Sequence, residues 1–334
     1  MIKFALLGAG RIGKMHANNI VLNSQSDLEV VYDVNNSAAR EVSNMHNCKI
    51  AQSAEEAITN TNIDAVWIAS STPTHIEYIL LAAKAGKAIF CEKPIDLDIN
   101  KVDQCKKDLE NFNVPIHIGF NRRFDLSHSS LKKTKDDGEI CNLEMIVISS
   151  RDPASPGIEY LREAGGFFRD TAVHDFDLTR FILGDDDPII EISAYADVLF
   201  SKAAKETNDL DTAMFILKSQ SGVLCHINNS RRAVYGYDQR VEIFGSKGMI
   251  ISDNQSPTSV KKFDKNITNS EDPIYYFFIE RYNQAYKNQL NIFIDCIKNK
   301  KATLVNFEDG RNALIIANAA YESLKTKKSV KIKY

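Results

Sequence analysis

One stretch near the amino end limits what this chain can fold into more than any other. The stretch Gly8–Gly13 reads GAGRIG, which has the spacing G-x-G-x-x-G, and it lies between the apolar run Ile2–Leu7 and a helical pattern over Ile12–Asn23. Asp33 ends the next apolar run, twenty residues after Gly13. A strand, a glycine turn, a helix and a second strand ending in an acidic residue form the context of dinucleotide binding. The sequence therefore predicts a Rossmann domain at the amino end.

The same residues predict the cofactor. In such a motif Gly8 permits a tight turn, Gly10 lets the backbone approach a pyrophosphate, and Gly13 allows close packing of helix and strand. The free N–H groups of the first helical turn then face the phosphates. The Asp33 carboxylate can accept hydrogen bonds from ribose hydroxyls but repels a 2′-phosphate, and the residues after it, Val34-Asn35-Asn36, offer no cation. We expect NAD rather than NADP; a plain glycine turn and a strand-end aspartate are the alternatives.

The first 120 residues alternate between short buried strands and helices. A capping box at Ser53 opens one of the helices. The predicted strands are Ile2–Leu7, Leu28–Tyr32, Ala65–Ala69, Ala88–Cys91 and Val114–Ile118, and the other predicted helices are Ile12–Asn23, His75–Ala85 and Ile99–Phe112. Near-continuous apolar strands separated by helices imply a parallel sheet that is covered on both faces.

The pattern changes after Gly119, where strands become longer and alternate in polarity. These strands are Glu139–Ser150, Glu191–Leu199, Asp211–Leu217, Val223–Ser230 and Val241–Phe244. A helix over Thr171–Leu183 interrupts them, and helices over Tyr282–Lys298 and Phe307–Leu324 follow. Alternation predicts one buried and one open face, as in an antiparallel sheet.

The fold class is therefore predicted to be α/β with two domains, as the length of 334 residues allows. Residues 1–120 form the Rossmann domain. Residues 121–334 form an α+β domain with an open, mainly antiparallel sheet, and the helix near 307–324 packs back on the first domain.

Charge and composition exclude several functions. Lys plus Arg is 41 and Asp plus Glu is 44, so the formal net charge is −3, without the basic excess of a duplex-binding protein. No window of 18 apolar residues is present, so we expect no membrane span. The six cysteines lie at least fourteen residues apart and contain no CxxC, which predicts reduced, mostly buried thiols, no metal centre and a cytoplasmic location.

Two further groups of residues can carry chemistry. Glu92-Lys93-Pro94 follows a predicted strand and so lies at the carboxyl edge of the sheet, where ligands of open α/β sheets bind. Lys93 can hydrogen-bond a substrate hydroxyl there; an exposed loop lysine is the alternative. Asp170 and His174 are four residues apart, on one face of a helix that starts at Asp170. A carboxylate beside an imidazole suits a general base, although a helix N-cap aspartate with a core histidine fits the same spacing.

Several stretches together resemble the Gfo/Idh/MocA oxidoreductases, a family named for glucose–fructose oxidoreductase and inositol dehydrogenase. The resemblance covers essentially the whole chain, and RRAVYGYD at Arg231–Asp238 with DLTRF at Asp177–Phe181 is similar to the inositol dehydrogenases within the family. The stretches that carry the family resemblance are GAGRIGKMHA at Gly8–Ala17, TPTH at Thr72–His75, CEKP at Cys91–Pro94, GFNRRFD at Gly119–Asp125 and GGFFRDTAVHDFD at Gly165–Asp177.

The resemblance implies a polyol dehydrogenase with a catalytic set of Lys93, Asp170 and His174. By this analogy His174 takes the proton from a ring hydroxyl, Asp170 holds the imidazole, and Lys93 hydrogen-bonds the same oxygen. Hydride transfer to NAD then yields a ketone, an inosose when the substrate is inositol. The Lys93–Pro94 peptide is expected to be cis. The open sheet is expected to serve as an oligomer face, giving a homotetramer.

Binding residues are also expected. The cofactor contacts are Gly8, Gly10, Arg11, Ile12, Gly13, Asp33, Ser71, Thr72, His75, Glu92 and Lys93. The substrate contacts are Arg122, Arg123, Asp152, Asp170, His174 and Tyr237. A surface or interdomain pair is the alternative for the two arginines, and a helix-capping Thr74 is the alternative to cofactor contacts in its stretch. His16 is expected to be solvated, whereas His117 and His226 are expected in the core or sheet.

Two residues depart from the family pattern, Asp96 and Arg169, and they leave the polyol open. The competing interpretations are a dehydrogenase of another inositol isomer or of a pyranose, and a non-catalytic NAD-binding regulator. The joint presence of Lys93, Asp170 and His174 argues against the regulator, because a binding protein does not need all three.

Overall fold

The computed structural model describes residues 1–334, which divide into two compact units. The first unit comprises Met1–Asn121 and Tyr286–Leu314, and the second comprises Arg122–Ala285 and Ile315–Tyr334. The segment Tyr286–Leu314, which the sequence pattern assigned to the second domain, thus groups with the first unit. Its apolar side chains Leu290, Phe293 and Ile294 belong to the core of that unit.

The first unit contains a six-stranded, all-parallel sheet. Its strands are β1 (Ile2–Leu7), β2 (Ser26–Tyr32), β3 (Lys49–Ile50), β4 (Ala65–Ile68), β5 (Ala88–Cys91) and β6 (Ile116–Ile118). Its helices are α1 (Arg11–Leu22), α2 (Asn36–His46), α3 (Ala54–Thr59), α4 (His75–Lys84) and α5 (Ile99–Leu109). The strand order β3-β2-β1-β4-β5-β6 is that of a Rossmann fold, which confirms the predicted class.

Local sequence explains where these helices begin. The Ser53 side chain accepts a hydrogen bond from the Glu56 amide at 3.1 Å, as the capping box predicts, while the Glu56 carboxylate accepts from the Gln52 amide. Helix α2 was not predicted from the sequence. Only Ala39 and Val42 are buried among its eleven residues, so its apolar face is narrow.

The second unit contains a seven-stranded mixed sheet. Its elements are α6 (Leu126–Asp136), β7 (Leu143–Arg151), α7 (Ile158–Glu163), α8 (Val173–Leu183), β8 (Ile189–Asp197), α9 (Lys202–Glu206), β9 (Thr212–Ser219), β10 (Leu224–Ser230), β11 (Asp238–Gly245), β12 (Gly248–Ser252), the short ribbon β13 (Lys261–Lys262) and β14 (Ser270–Glu271), and α10 (Phe278–Arg281). The late elements of the chain are α11 (Asn283–Asn299), α12 (Phe307–Thr326) and β15 (Val330–Lys331). The sheet order is β12-β11-β7-β10-β9-β8-β15, with β7 and β10 parallel and all other neighbours antiparallel. The predicted mainly antiparallel sheet is confirmed.

The two faces of this sheet differ sharply in exposure. Along β9, Phe215 is fully buried and meets the rings of Phe168 and Phe176 at 4.9 and 5.1 Å. Its neighbours Met214 and Ile216, which point to the opposite face, are 55% and 49% exposed. Other exposed apolar residues of the sheet strands are Met145, Tyr195, Leu224, Phe244, Met249 and Ile251. One face of the sheet therefore forms the core of the unit, and the other presents apolar side chains outward.

Neither a metal-binding cluster nor a membrane-spanning segment is found. No three His, Cys, Asp or Glu side chains come together in a way that can hold a metal ion. No helix combines the length and the apolar composition needed to cross a bilayer. Five of the six cysteines are buried, as predicted, and Cys141 is exposed.

Candidate active site

The glycine turn after β1 has the geometry of a phosphate cradle. Gly8 has a φ of +100°, and a Cβ on Gly13 would lie 2.0 Å from the Gly8 carbonyl oxygen, so both positions require glycine. A Cβ on Gly10 would meet nothing within 4 Å. Gly10 is the N-cap of α1 and has no side-chain cap, so the first-turn amides face open space. This space fits the pyrophosphate of a dinucleotide.

Asp33 closes the turn at the end of β2. Its Oδ2 accepts a hydrogen bond from the Ala9 amide at 2.6 Å, and its Oδ1 accepts one from the Asn35 amide at 2.7 Å. These two bonds fix the carboxylate beside the glycine turn. A carboxylate so placed fits the ribose hydroxyls of NAD and opposes a 2′-phosphate.

The expected Lys93–Pro94 cis peptide is confirmed directly after β5. Lys93 is partly exposed and Pro94 is buried. The Glu92 carboxylate lies 2.8 Å from Nε2 of His16 on α1. His16 is 1% exposed, so the expectation of a solvated histidine was wrong.

Residues Thr72–Thr74 form a 3₁₀ turn, and His75 begins α4. Thr74 is at the N-cap position of α4, but its side chain makes no capping hydrogen bond, because its hydroxyl donates to the Ser71 carbonyl at 2.9 Å and pairs with the Ser70 hydroxyl; the expectation of side-chain capping was wrong. The His75 ring is 1% exposed, with Nδ1 at 2.8 Å from the Pro94 carbonyl oxygen. Burial lowers the pKa of His75. Cofactor contacts by Ser71, Thr72 and His75 stay predictions.

In the second unit, Asp170 lies in a π-helical turn, Phe168–Ala172, that leads into α8. The amides of Arg169 and Asp170 both donate to the Gly166 carbonyl, at 3.1 and 2.9 Å. The N-cap of α8 is Ala172, so the interpretation of Asp170 as an N-cap was wrong. The wider turn also means that the predicted α-helix begins later than Asp170. Such turns are frequent at functional sites.

Charged and hydroxyl groups surround Asp170. The Tyr160 hydroxyl donates to its Oδ1 at 2.9 Å, and Nη2 of Arg231, which is 1% exposed, lies 3.6 Å from its Oδ2. Arg231 also lies 3.4 Å from Asp209. In the sequence, Arg231 is notable only as part of the stretch Arg231–Asp238 that resembles the inositol dehydrogenases, and no pattern indicates a role for Tyr160. Burial, helped by the charge of Asp170 and opposed by Arg231, raises the pKa of Asp152 to about 6.

The two arginines expected to contact substrate are held by carboxylates of α8. Arg122 pairs with Asp175, which is fully buried and also accepts from the Asn229 side chain at 2.8 Å. Arg123 donates two hydrogen bonds to the Asp177 carboxylate, from Nε to Oδ2 at 2.9 Å and from Nη2 to Oδ1. The Arg122–Asp175 pair is buried, the Arg123–Asp177 pair is partly buried, and both lie within one unit, so the alternative of a surface or interdomain pair was wrong. Substrate contacts by these arginines stay predictions.

The contacts of Tyr237 and of Asp96 and Arg169, the two residues that depart from the family pattern, are also defined. Tyr237 is 7% exposed, its ring meets the edge of Tyr282 at 6.0 Å, and burial raises its pKa. The Arg169 Nε donates to Asn318 on α12 at 2.9 Å, so this side chain is directed to α12. Asp96 is buried and accepts from the Asp98 amide.

Comparison with known families identifies the class of the chain. Residues 2–120 match the oxidoreductase family with an NAD-binding Rossmann fold, and residues 135–332 match the C-terminal alpha/beta domain of the same family. The chain belongs to the Gfo/Idh/MocA oxidoreductases. The space over Gly10 and the fixed Asp33 carboxylate fit the NAD that the matched Rossmann domain binds.

Members of the Gfo/Idh/MocA family similar to this chain are named for inositol oxidation. A myo-inositol 2-dehydrogenase of Thermotoga maritima is 40% identical over 99% of this chain and 98% of its own. The crystal structure of a myo-inositol dehydrogenase from Corynebacterium glutamicum has a TM-score of 0.95 and 41% identity, covering 100% of this chain and 99% of its own. A scyllo-inositol dehydrogenase of Lactobacillus casei, with bound NAD(H) and scyllo-inositol, has a TM-score of 0.91 and 27% identity, covering 99% of each chain.

Proposed function

We propose that this protein oxidises a ring hydroxyl of a cyclic polyol with NAD, converting myo-inositol to 2-keto-myo-inositol (scyllo-inosose). The observation that carries the proposal is full-length similarity, at about 40% identity, to proteins named for myo-inositol oxidation. The NAD-binding turn, the E-K-P lysine and the D-x-x-x-H pair are all present in this chain. An uncharged polyol also needs no electrostatic steering, which agrees with a net charge of −3.

The chemistry follows from what alcohol oxidation requires. NAD supplies the hydride acceptor. As the carbon gives up hydride, alkoxide character builds on the oxygen, so a base and a hydrogen-bond donor must act on it. In this proposal His174 takes the hydroxyl proton, Asp170 orients the imidazole, and the Lys93 ammonium donates to the same oxygen. Tyr160 and Arg231 support Asp170 by the contacts given above.

A substrate panel tests the function. NADH formation is measured with myo-inositol, scyllo-inositol, chiro-inositol and glucose, each with NAD and with NADP. We expect the highest kcat/KM with myo-inositol and NAD. A preference for scyllo-inositol would move the protein to the related activity named for the Lactobacillus casei relative. NAD binding without turnover of any polyol would favour a regulator.

Two variants test the catalytic assignment. His174→Ala and Lys93→Ala should each lower kcat by about 10²- to 10⁴-fold, the usual contribution of a general acid or base. Both variants should still bind NAD, since neither change touches the glycine turn. Wild-type kcat in either variant would remove that residue from the catalytic set.

We also propose that the open face of the second-unit sheet joins copies of the chain into a tetramer. The support is the row of exposed apolar side chains on neighbouring strands: Met145 pairs in register with both Leu224 and Phe244, and Tyr195 pairs with Met214. Contiguous apolar patches of this kind mark interaction surfaces. Ile216→Lys, on β9, should therefore lower the mass of the assembly measured by sedimentation. The control Thr207→Lys, at the end of α9 and outside the sheet, should leave that mass unchanged. A monomeric wild type would contradict the proposal.

The cytoplasm is the expected compartment, because the cysteine pattern suits a reducing environment. Fractionation of the source cells tests this expectation.

A further inference from the structure

We propose that His16 and His75 are positioning residues that fix the backbone on the two sides of Lys93. The inference rests on the proposed role of Lys93 and adds the residues that set where its side chain starts. Both histidines are on helices of the first unit, and both are 1% exposed. Their ring nitrogens lie against the residues before and after Lys93.

His16 holds the residue before Lys93. Its Nε2 lies 2.8 Å from Oε1 of Glu92, which makes a short bond to a carboxylate. The imidazole is itself fixed by aromatic neighbours, with ring centroids at 4.6 Å from Trp67 and 5.5 Å from Phe90. The Glu92 amide donates to the Ile68 carbonyl at 2.9 Å. Glu92 is thus held at both its backbone and its side chain.

His75 holds the residue after Lys93. Its Nδ1 lies 2.8 Å from the Pro94 carbonyl oxygen, and its Nε2 lies 3.1 Å from the Ser70 carbonyl oxygen. Burial lowers the pKa of His75, so the ring is neutral near pH 7 and has one N–H group. Both nitrogens face a carbonyl oxygen and only one can donate, so we assign the proton to Nδ1, which makes the shorter contact, to Pro94.

Gly119 completes the arrangement on the side away from His16. A Cβ at this position would lie 2.7 Å from Oε2 of Glu92 and 3.1 Å from its Cα. The Gly119 amide also donates to the Cys91 carbonyl at 2.8 Å. A Cβ at Gly119 would therefore displace the Glu92 carboxylate that His16 contacts.

This geometry has a functional consequence. A lysine side chain has four rotatable bonds, so its ammonium reaches a defined point only if its backbone is fixed. A displacement of about 1 Å at a reacting group costs about 10² in rate. Loss of either histidine should therefore act on kcat through Lys93, while the NAD-binding turn keeps its geometry.

Amide substitutions test each ring nitrogen separately. An asparagine amide nitrogen is as many bonds from Cβ as Nδ1, and a glutamine amide nitrogen is as many as Nε2. His16 acts through Nε2 and His75 through Nδ1, so glutamine should replace His16 and asparagine should replace His75. His16→Gln and His75→Asn should keep kcat within about threefold, whereas His16→Asn and His75→Gln should lose about 10- to 100-fold. The dissociation constant of NAD should stay within about threefold for the two His16 variants; because His75 is an expected cofactor contact, kcat is compared at saturating NAD for all four.

A double-mutant cycle separates positioning from general damage. In Lys93→Ala protein, His16→Asn should lower kcat no further, because the group it positions is gone. His117→Gln is the matched control. His117 is fully buried in the same unit and contacts the Phe90 ring, as His16 does, but its Nε2 pairs with Gln289 at 3.1 Å. It should lower the melting temperature and leave kcat within about twofold.

The outcomes are distinguishable. Equal losses for asparagine and glutamine at either position, or further loss of kcat in the Lys93→Ala background, would overturn the inference and leave the proposed function intact. Wild-type turnover by Lys93→Ala would instead remove the catalytic assignment on which the inference rests. If an asparagine variant fails to fold, Gly119→Ala supplies the same test, with an expected loss of about 10- to 100-fold in kcat that disappears without Lys93.

Discussion

Replacing Asp33 by asparagine separates the two roles that its carboxylate has at the glycine turn. The carboxylate accepts from two amides, those of Ala9 and Asn35. Asparagine offers one acceptor oxygen, so one of these amides loses its partner. Because Asp33 is partly exposed, we expect a loss of about 1–2 kcal/mol in the free energy of unfolding.

The second role is discrimination against a 2′-phosphate. At about 5 Å and an effective dielectric of about 20–30, two unit charges repel by about 2–3 kcal/mol, or about 30- to 150-fold in specificity. The Asp33→Asn protein should therefore lose about this factor in its ratio of kcat/KM for NAD to kcat/KM for NADP. The two kcat/KM values, with NAD and with NADP, are measured with myo-inositol as the substrate, and the free energy of unfolding is measured by urea denaturation.

Glu41→Gln is the matched control for this change. It removes one negative charge from a 54% exposed side chain on α2, which pairs with Lys14 on α1 at 2.6 Å, outside the glycine turn. Its cofactor ratio should equal that of the wild type. A wild-type preference for NADP, or a change of less than about threefold in Asp33→Asn, would refute the reasoning.

Three further predictions concern pH, buried charge and packing. The pKa of Asp152 is raised to about 6 from an ordinary 3.8, so its protonated form stabilises the fold; this stabilisation is present below pH 3.8 and is lost as pH rises through 6. The stability difference between wild type and Asp152→Asn, from urea unfolding at several pH values, should change across this window and be flat above pH 7. Arg281→Met should lower the free energy of unfolding by about 3–5 kcal/mol, measured by urea denaturation, because it removes the ion pair at 2.6 Å from the buried Asp125. The control Arg162→Met, at an exposed ion pair, should lower it by less than about 1 kcal/mol. Gly13→Ala should weaken NAD binding by at least about tenfold, because its Cβ would lie 2.0 Å from a carbonyl oxygen; fluorescence titration with an unchanged Kd would contradict this.

The parts of the fold that could be predicted are those with local causes. Gly8 and Gly13 were predicted from spacing alone, and the structure shows that backbone atoms fill the space of any side chain there. The alternating burial of β9 follows from its period of two, and the capping bond of Ser53 from the residue three positions later. In each case the signal and the structure it specifies lie within a few residues.

The parts that could not be predicted depend on distant partners. Arg122 and Asp175 are 53 residues apart, and Arg123 and Asp177 are 54 apart, so no spacing rule joins them. A signal was present nonetheless. Two carboxylates inside a helix rich in apolar residues must be paired if that helix is buried, and the doubled arginine supplies the partners. The role of Tyr160 depends on the turn at Asp170, which no local pattern specifies.

The single parallel pair in the second sheet has a consequence for folding. Ser149 on β7 and Asn228 on β10 hydrogen-bond to each other at a separation of 79 positions in the sequence, and the chain between them contains Asp170 and His174. Contacts between residues so far apart in the sequence form slowly, because the chain loses the entropy of the closed loop before the strand pairing contributes any stabilisation. The residues proposed for proton transfer are thus carried on the loop that this strand pairing closes. During refolding, activity should therefore return only after this pairing forms, later than most of the helical signal.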